Sequence, residues 1–190
     1  MYPINEDEQT QAALIDSLIE NLSGNSVIWQ VTDIFKADAK KKSGAVHDIT
    51  RHVVSFNNKH PVFLRTNVNC YSLPLQKETL YILPDKLLIV QGNTVGAIDW
   101  REMKIDIAKT SFIEDSPPSD ALVTGKTWKY VNKDGSRDKR FSGNYERFTC
   151  SYGKIEFKTN SGFNTTLYVS DIKKALIFQE VLVAGVSGGV

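Results

Sequence analysis

Short apolar runs separated by turn residues fill the middle of this chain, and they constrain its fold more than any other feature. The runs TLYIL and KLLIV are joined through Pro84 and Asp85, and Gly92 and Asn93 follow the second run. Proline and aspartate favour tight turns, and glycine adopts the positive φ that two-residue hairpin connections require. The pattern therefore predicts a meander of antiparallel strands.

Strand-type segments continue on both sides of these hairpins. We expect strands at residues 27–31, 45–56, 62–66, 79–83, 87–91, 95–100, 104–108, 126–132, 147–158 and 164–169. Residues 112–122 contain Pro117 and Pro118, which cannot donate a hydrogen bond to a sheet, so we expect a surface loop there. The lysine-rich run KADAKKKSG, residues 36–44, is typical of a solvated loop.

A first helix is predicted over residues 5–21. Its acidic start suits a helix N-terminus, and Leu14, Leu18 and Leu22 recur at helical spacing. This apolar stripe needs a surface to lie on, either in this chain or in a second copy. We expect the helix to be an appendage whose removal leaves a folded domain, and a possible contact between copies.

A second helix is predicted over residues 170–185, with Ser170 as its N-cap. It is apolar around much of its circumference, and Leu176, Phe178 and Val181 belong to that surface. A helix of this kind is typically buried. We therefore expect it to close the sheet system, with Leu176 in the core.

Together these elements predict a mainly β (α+β) protein, an antiparallel pleckstrin-homology-like split barrel with an N-terminal amphipathic helix and a C-terminal capping helix. Many other partly open β barrels would produce similar patterns. The expected organisation is an N-terminal helix at residues 1–24, one barrel-like domain at 25–185 and a flexible, glycine-rich tail at 186–190.

Composition narrows the classes of function. The formal net charge is only +1, which argues against a protein that mainly coats nucleic acid or anionic membrane. The acidic start lacks the features of a signal peptide, and there are only two cysteines, Cys70 and Cys150. A helix needs a run of roughly 20 apolar residues to span a bilayer, and the sequence contains no such run. We expect a cytoplasmic protein with two ordinary, structural cysteines.

Four segments resemble a bacterial domain family that has no established biochemical activity. They read TLYILPDKLLIV, FIEDSPPSDA, TWKYVNKDGSRDKRF and YGKIEFKTNSGFN, and the resemblance extends over roughly residues 27–170. Ser136 and Arg137 depart from it, since the family has glycine and proline there, which implies a looser turn before Asp138 and Arg140. The resemblance implies a shared fold but supplies no active site.

No complete catalytic or metal-binding signature is present in the sequence, so we assign no catalytic residue, metal or cofactor. In a strand His47 and His52 would face opposite sides, which makes a shared metal ion unfavourable. The alternative of a metal-dependent nuclease rests on Asp85 with Glu102 and Lys104, because such enzymes pair carboxylates with a nearby lysine. Glu-x-Lys spacing arises readily by chance.

The densest polar and aromatic segment lies between residues 126 and 147. A strand through it would direct Trp128 and Tyr130 to one face, surrounded by basic side chains. We take it as the candidate binding face of a hairpin that ends near Phe141. The candidate binding residues are Trp128, Lys129, Tyr130, Lys133, Arg137, Lys139 and Arg140.

These features predict a non-enzymatic binding module whose partner is a protein. Salt-sensitive binding of nucleic acid or anionic lipid by the same segment is an alternative, because stacking aromatics and cations suit both ligands. A purely structural interpretation also stands: Trp128 and Tyr130 would be core residues, and Asp138 would pair with Arg140 to brace the loop.

Overall fold

The computed structural model describes residues 6–36 and 47–187. Two helices, α1 (Glu6–Ser23) and α2 (Ile172–Ser187), precede and follow a series of antiparallel strands in the chain. The strands are β1 (Ile28–Lys36), β2 (His47–Val53), β3 (Asn57–Asn58), β4 (Tyr71–Pro74), β5 (Thr79–Ile82), β6 (Lys86–Gln91), β7 (Thr94–Asp99), β8 (Lys104–Glu114), β9 (Leu122–Trp128), β10 (Glu146–Lys158) and β11 (Asn164–Val169). The predicted mainly β, antiparallel class with two helices is confirmed; within the described residues the sheets form no closed barrel.

The first sheet is organised around β10, which is 13 residues long. Its strands lie in the order β2-β1-β11-β10-β8. The edge of β10 that does not face β8 is divided between two strands: β9 pairs up to Ser151, and β11 pairs from Gly153 onward. The chain segment that immediately precedes Glu146 is therefore attached directly to a central strand of the sheet.

The second sheet is the meander that the turn residues predict, in the order β3-β4-β5-β6-β7. The β5–β6 hairpin turns at Pro84 and Asp85, and Gly92, with a φ of 57°, turns the β6–β7 hairpin. Both predicted hairpins are confirmed. The sheets are linked by buried Gln30 of β1, whose side-chain carbonyl accepts the backbone N–H of Gln76 at 2.9 Å.

Several predicted segments are wrong in detail. Residues 62–66 form turns and irregular structure in place of a strand, and β4 was not predicted. The predicted loop over residues 112–122 is shorter, because β8 continues to Glu114 and β9 begins at Leu122. The predicted strand over 126–132 ends at Trp128. The lysine-rich segment lies almost wholly outside the described residues, as does the end of the predicted tail.

Helix α1 belongs to the main hydrophobic core. Ile15, Leu18, Ile19 and Leu22 are buried and pack with apolar residues of both sheets. The C-terminal end of α1 is also fixed, because the ammonium group of Lys174 donates to the carbonyl of Gly24. The expectation that α1 is a removable appendage is therefore not supported by its packing.

The first turns of α2, whose side chains the structure describes, are less buried than their composition predicted. Ala175 and Phe178 face the core, whereas Leu176 is 47% exposed, so its predicted core position is wrong. The N-cap is Asp171, whose carboxylate accepts the backbone N–H of Lys173 at 2.9 Å. Ser170, the predicted cap, is fully buried, and its hydroxyl instead accepts the backbone N–H of Val27. The helix also extends past the predicted end at residue 185.

Candidate functional site

Residues 129–145 connect β9 to β10, and we call them the basic aromatic loop. Its two ends are held together where the N–H of Lys129 donates to the carbonyl of Tyr145 at 3.0 Å. Inside it there is one isolated bridge, between Val131 and Arg137. The loop therefore replaces the regular hairpin that the sequence predicted, and its conformation depends on side chains.

Asn144 is the central side chain of this loop and is only 4% exposed. Its Oδ1 accepts the N–H of Tyr130 at 3.0 Å, and its Nδ2 donates to the carbonyls of Tyr130 at 2.6 Å and Asp138 at 3.0 Å. These three bonds join the two limbs of the loop as a short sheet ladder would. Because they satisfy buried backbone groups, they fix one loop conformation.

Asp138 is the second buried polar residue in the loop, at 3% exposure. Its carboxylate accepts the backbone N–H of Arg140 at 3.0 Å and, at 2.6 Å, the Nη2 of the same residue. The hydrogen bond from the Arg140 side chain is the main reason that the pKa of Asp138 is lowered, so the carboxylate stays ionised. The predicted pairing of Asp138 with Arg140 is thus present, and it braces the loop.

The tip of the loop is a tight turn. The N–H of Gly135, whose φ is 82°, donates to the carbonyl of Asn132, and both the N–H and the hydroxyl of Ser136 donate to the carboxylate of Asp134. The hydroxyl bond is the main cause of the lowered pKa of Asp134. The side chain and the backbone of Ser136 thus hold the turn closed. Lys133 lies at this tip and is exposed.

The aromatic residues of the segment make two separate contacts. The rings of Tyr130 and Phe141 stack on each other, with centroids 4.3 Å apart and planes at 20°. Trp128, the last residue of β9, instead lies under the guanidinium of Arg137, 4.9 Å from its ring centroid. The predicted strand through both residues ends at Trp128, so the alternation that would have placed Trp128 and Tyr130 on one face does not extend to Tyr130. Tyr130 and Phe141 are 37% and 43% exposed, so neither is a core residue.

The cations of the loop fall into two groups. Arg137 and Arg140 are held by bonds within the loop, since Nη2 of Arg137 donates to the carbonyl of Asn144 at 3.1 Å and Arg140 pairs with Asp138. The second group consists of the lysines. In it, the ammonium of Lys129 lies within 5.5 Å of the ring centroids of Tyr130 and Tyr145. An open depression is lined by the following residues: Asn132, Ser136, Arg137, Asp138, Lys139 and Arg140.

The charge of the loop is strongly positive for its length. It contains five basic and two acidic residues, a net charge of +3, whereas the whole chain has a net charge of +1. Arg140 illustrates how this charge is displayed, because its side chain is 82% exposed while that of its partner Asp138 is 4% exposed. The acidic partner is therefore buried beneath the basic one, and the outer surface is cationic.

The three residues on which the nuclease alternative rests each lie in a different local environment. Asp85 pairs with Lys86 at 2.8 Å in the β5–β6 turn, Glu102 belongs to the 3₁₀ turn Trp100–Glu102, and Lys104 donates to Asn160 at 3.0 Å. Among the side chains that the structure describes, no group of three or more histidines, cysteines or carboxylates is arranged to hold a metal ion.

Both cysteines are buried and free, and their environment opposes thiolate chemistry. Burial raises the pKa of Cys70 to about 11, and burial is also the main reason that the pKa of Cys150 is raised. A nucleophilic cysteine requires a lowered pKa. Both shifts are opposite in direction to the one that activation requires.

The sequence drew attention to Asp138 and the cations but missed Asn144. The only available signal was the turn-type run of Ser142, Gly143 and Asn144 before a strand, because asparagine often bonds to backbone groups in turns.

Comparison with known proteins adds no further assignment: no protein-family model matches this chain, and no curated protein or solved structure is significantly similar to it. In residues 6–36 and 47–187, no helix has both the length and the apolar character needed to cross a bilayer.

Proposed function

We propose that this protein is a non-enzymatic binding module that holds an acidic protein segment against the basic aromatic loop. The observation that carries the proposal is the fixed conformation of the loop, in which buried Asn144 and Asp138 hold a cationic surface next to the exposed Tyr130–Phe141 pair. A surface fixed before binding loses little conformational entropy when its partner arrives, which favours affinity.

Charge and aromatic area would contribute separately to binding. Lys133 and Lys139 are exposed and can approach carboxylates, which would mainly accelerate association and make binding depend on salt. Tyr130 and Phe141 offer rigid apolar area of the kind that provides most of the energy at protein interfaces. The ligand that fits both is a peptide in which acidic and aromatic or aliphatic residues alternate.

A protein partner suits the loop better than nucleic acid. Bases stack on free ring faces, but Tyr130 and Phe141 cover one face of each other, and Arg137 covers a face of Trp128. Nucleic-acid binding also usually requires a basic patch that extends along a surface. Here the basic aromatic loop is a short segment with a net charge of +3 in a nearly neutral chain.

The test is fluorescence anisotropy with three probes: a labelled peptide of alternating glutamate and phenylalanine, an oligo(dT) of equal charge, and vesicles that contain phosphatidylserine. We expect the peptide to bind most tightly. Each removed charge contact is worth about 1 kcal/mol near the surface, so reversing both lysines to glutamate should weaken binding by roughly 10–100-fold. Preferential binding of oligo(dT) or vesicles would refute the proposal.

Matched variants separate the loop from general charge and apolar effects. Lys133→Glu with Lys139→Glu is compared with Lys77→Glu and Lys173→Glu, which change the same charge at exposed positions elsewhere. Phe141→Ala is compared with Phe63→Ala, which removes an exposed phenylalanine outside the loop. Equal losses in a loop variant and its control would show that the loop is not the binding surface.

A further inference from the structure

A cavity of about 70 Å³ lies where α1 crosses between the two sheets. Helix α1 forms one wall with its buried face, the second sheet contributes Leu73 and Ile82 among others, and the first sheet contributes Phe157 and Leu167. Protein interiors are packed to crystal density, with few voids larger than a water molecule. The cavity therefore lies at the junction of every layer of the fold.

The lining of this cavity is unsuitable for water. Its one polar side chain, apart from the indole of Trp100, is that of Gln11. The indole N–H is already used, because it donates to the carbonyl of Leu83 at 2.8 Å. A buried water normally needs two to four polar partners, whereas apolar cavities stay dry and accept apolar guests.

The cavity has an accessible side. Gln11, Leu14, Phe56 and Trp100 line it and are each half-buried, whereas Leu18, Leu22 and Leu73 are buried deep within it. A guest can therefore enter past the half-buried residues without unfolding of the core. Gln11 is one of these half-buried lining residues, and its side-chain amide can bond to a neutral polar group.

We infer that this cavity is a binding site for the alkyl end of a small neutral amphiphile, such as a short-chain alcohol. The apolar walls regain dispersion contacts when a hydrocarbon fills the void, and the Gln11 amide bonds to the hydroxyl at the entrance. The volume is about half that of an engineered cavity that holds benzene, which suits a chain end of roughly three or four carbons.

The experiment is a titration of the full chain, labelled at leucine and isoleucine methyl groups, with 1-hexanol, followed by methyl NMR spectra. We expect saturable shifts for the methyls of Leu18, Leu73 and Ile82, and none for those of exposed Leu122. Shifts of similar size at Leu122, or shifts that do not saturate below the solubility limit of the alcohol, would overturn the inference.

Two variants make the test specific to the cavity. Leu14→Phe places a larger, aromatic side chain at the entrance and should weaken hexanol binding at least tenfold. Leu176→Phe makes the same change at an exposed position and should leave hexanol binding unchanged. Leu18→Ala enlarges the cavity and should improve binding of the bulkier benzyl alcohol. Unchanged hexanol binding in a folded Leu14→Phe variant, or no gain with Leu18→Ala, would contradict the proposed site.

Discussion

Replacing Leu22 with alanine tests whether α1 is part of the folded core. Leu22 is 1% exposed and packs in the main core next to the cavity. Leucine-to-alanine changes in cores cost about 2–5 kcal/mol, and the cost is highest where the surroundings cannot collapse into the new void. Because the position already borders a cavity between rigid sheets, we expect a loss in the upper part of that range, about 3–5 kcal/mol.

The comparison variant is Leu176→Ala in α2. Leu176 is 47% exposed, so it loses little burial, and we expect a change of no more than about 0.5 kcal/mol. For a chain of this size, each kcal/mol shifts Tm by roughly 2–4 °C, so Leu22→Ala should lower Tm by roughly 6–20 °C and Leu176→Ala should hardly change it. Thermal melts followed by circular dichroism, with urea unfolding as a second measure, would give both values.

The reasoning would be refuted if Leu22→Ala melted like the parent chain while Leu176→Ala lost several degrees. That result would restore the interpretation from sequence, in which α2 is buried and α1 is dispensable. Deleting residues 1–23 extends the same test. Because α1 covers apolar residues of both sheets, we expect the shortened chain to lose its cooperative melting transition.

Three further outcomes follow from individual contacts. Gly153→Ala would place a Cβ 2.5 Å from a side chain of α2 and should cost about 1–3 kcal/mol in urea unfolding, whereas Gly143→Ala has open space and should be neutral. Arg51→Met removes the cation bound to Glu114 at 2.6 Å and leaves that carboxylate with the Tyr152 hydroxyl at 3.2 Å but without its ion pair, which should cost about 1–3 kcal/mol in the same assay. Burial raises the pKa of Cys70 from its ordinary value of 9.0 to about 11, so its contribution to stability is complete below pH 9 and is lost as the pH rises through 11. Unfolding midpoints should therefore fall less over that window in Cys70→Ala, and an equal fall in both proteins would exclude this contribution.

The parts of the fold that the sequence predicted correctly are those fixed by local chemistry. The hairpin at Pro84 and Asp85 and the turn at Gly92 depend on a few consecutive residues, and both have the expected form. Strand β4 was missed because its first three side chains are all buried, so it lacks the alternation that marks a half-exposed strand. Apolar content alone also overestimated the burial of Leu176, because it does not reveal which side of a helix meets the core.

The candidate site was predictable as a location but not as an arrangement. The cluster of cations and aromatic residues indicated the segment, and the spacing of Asp138 and Arg140 indicated their pairing. The stacking of Tyr130 on Phe141 depends on where β9 ends and on the bonds made by Asn144. Those are contacts across the loop, and no periodic pattern in the sequence encodes them.

The pairing of β1 with β11 has a consequence for how the chain folds during synthesis. Ile28 lies opposite Val169, so most of the chain separates two neighbouring strands. At roughly 5–20 residues per second, a ribosome needs about 10–30 s to make the intervening segment. Throughout that time β1 has β2 on one edge but lacks β11 on the other, and the apolar side of α1 has no complete core to cover. That edge of β1 and the core beneath α1 are therefore completed late, and until then the apolar side of α1 is open to chaperones that bind apolar helices.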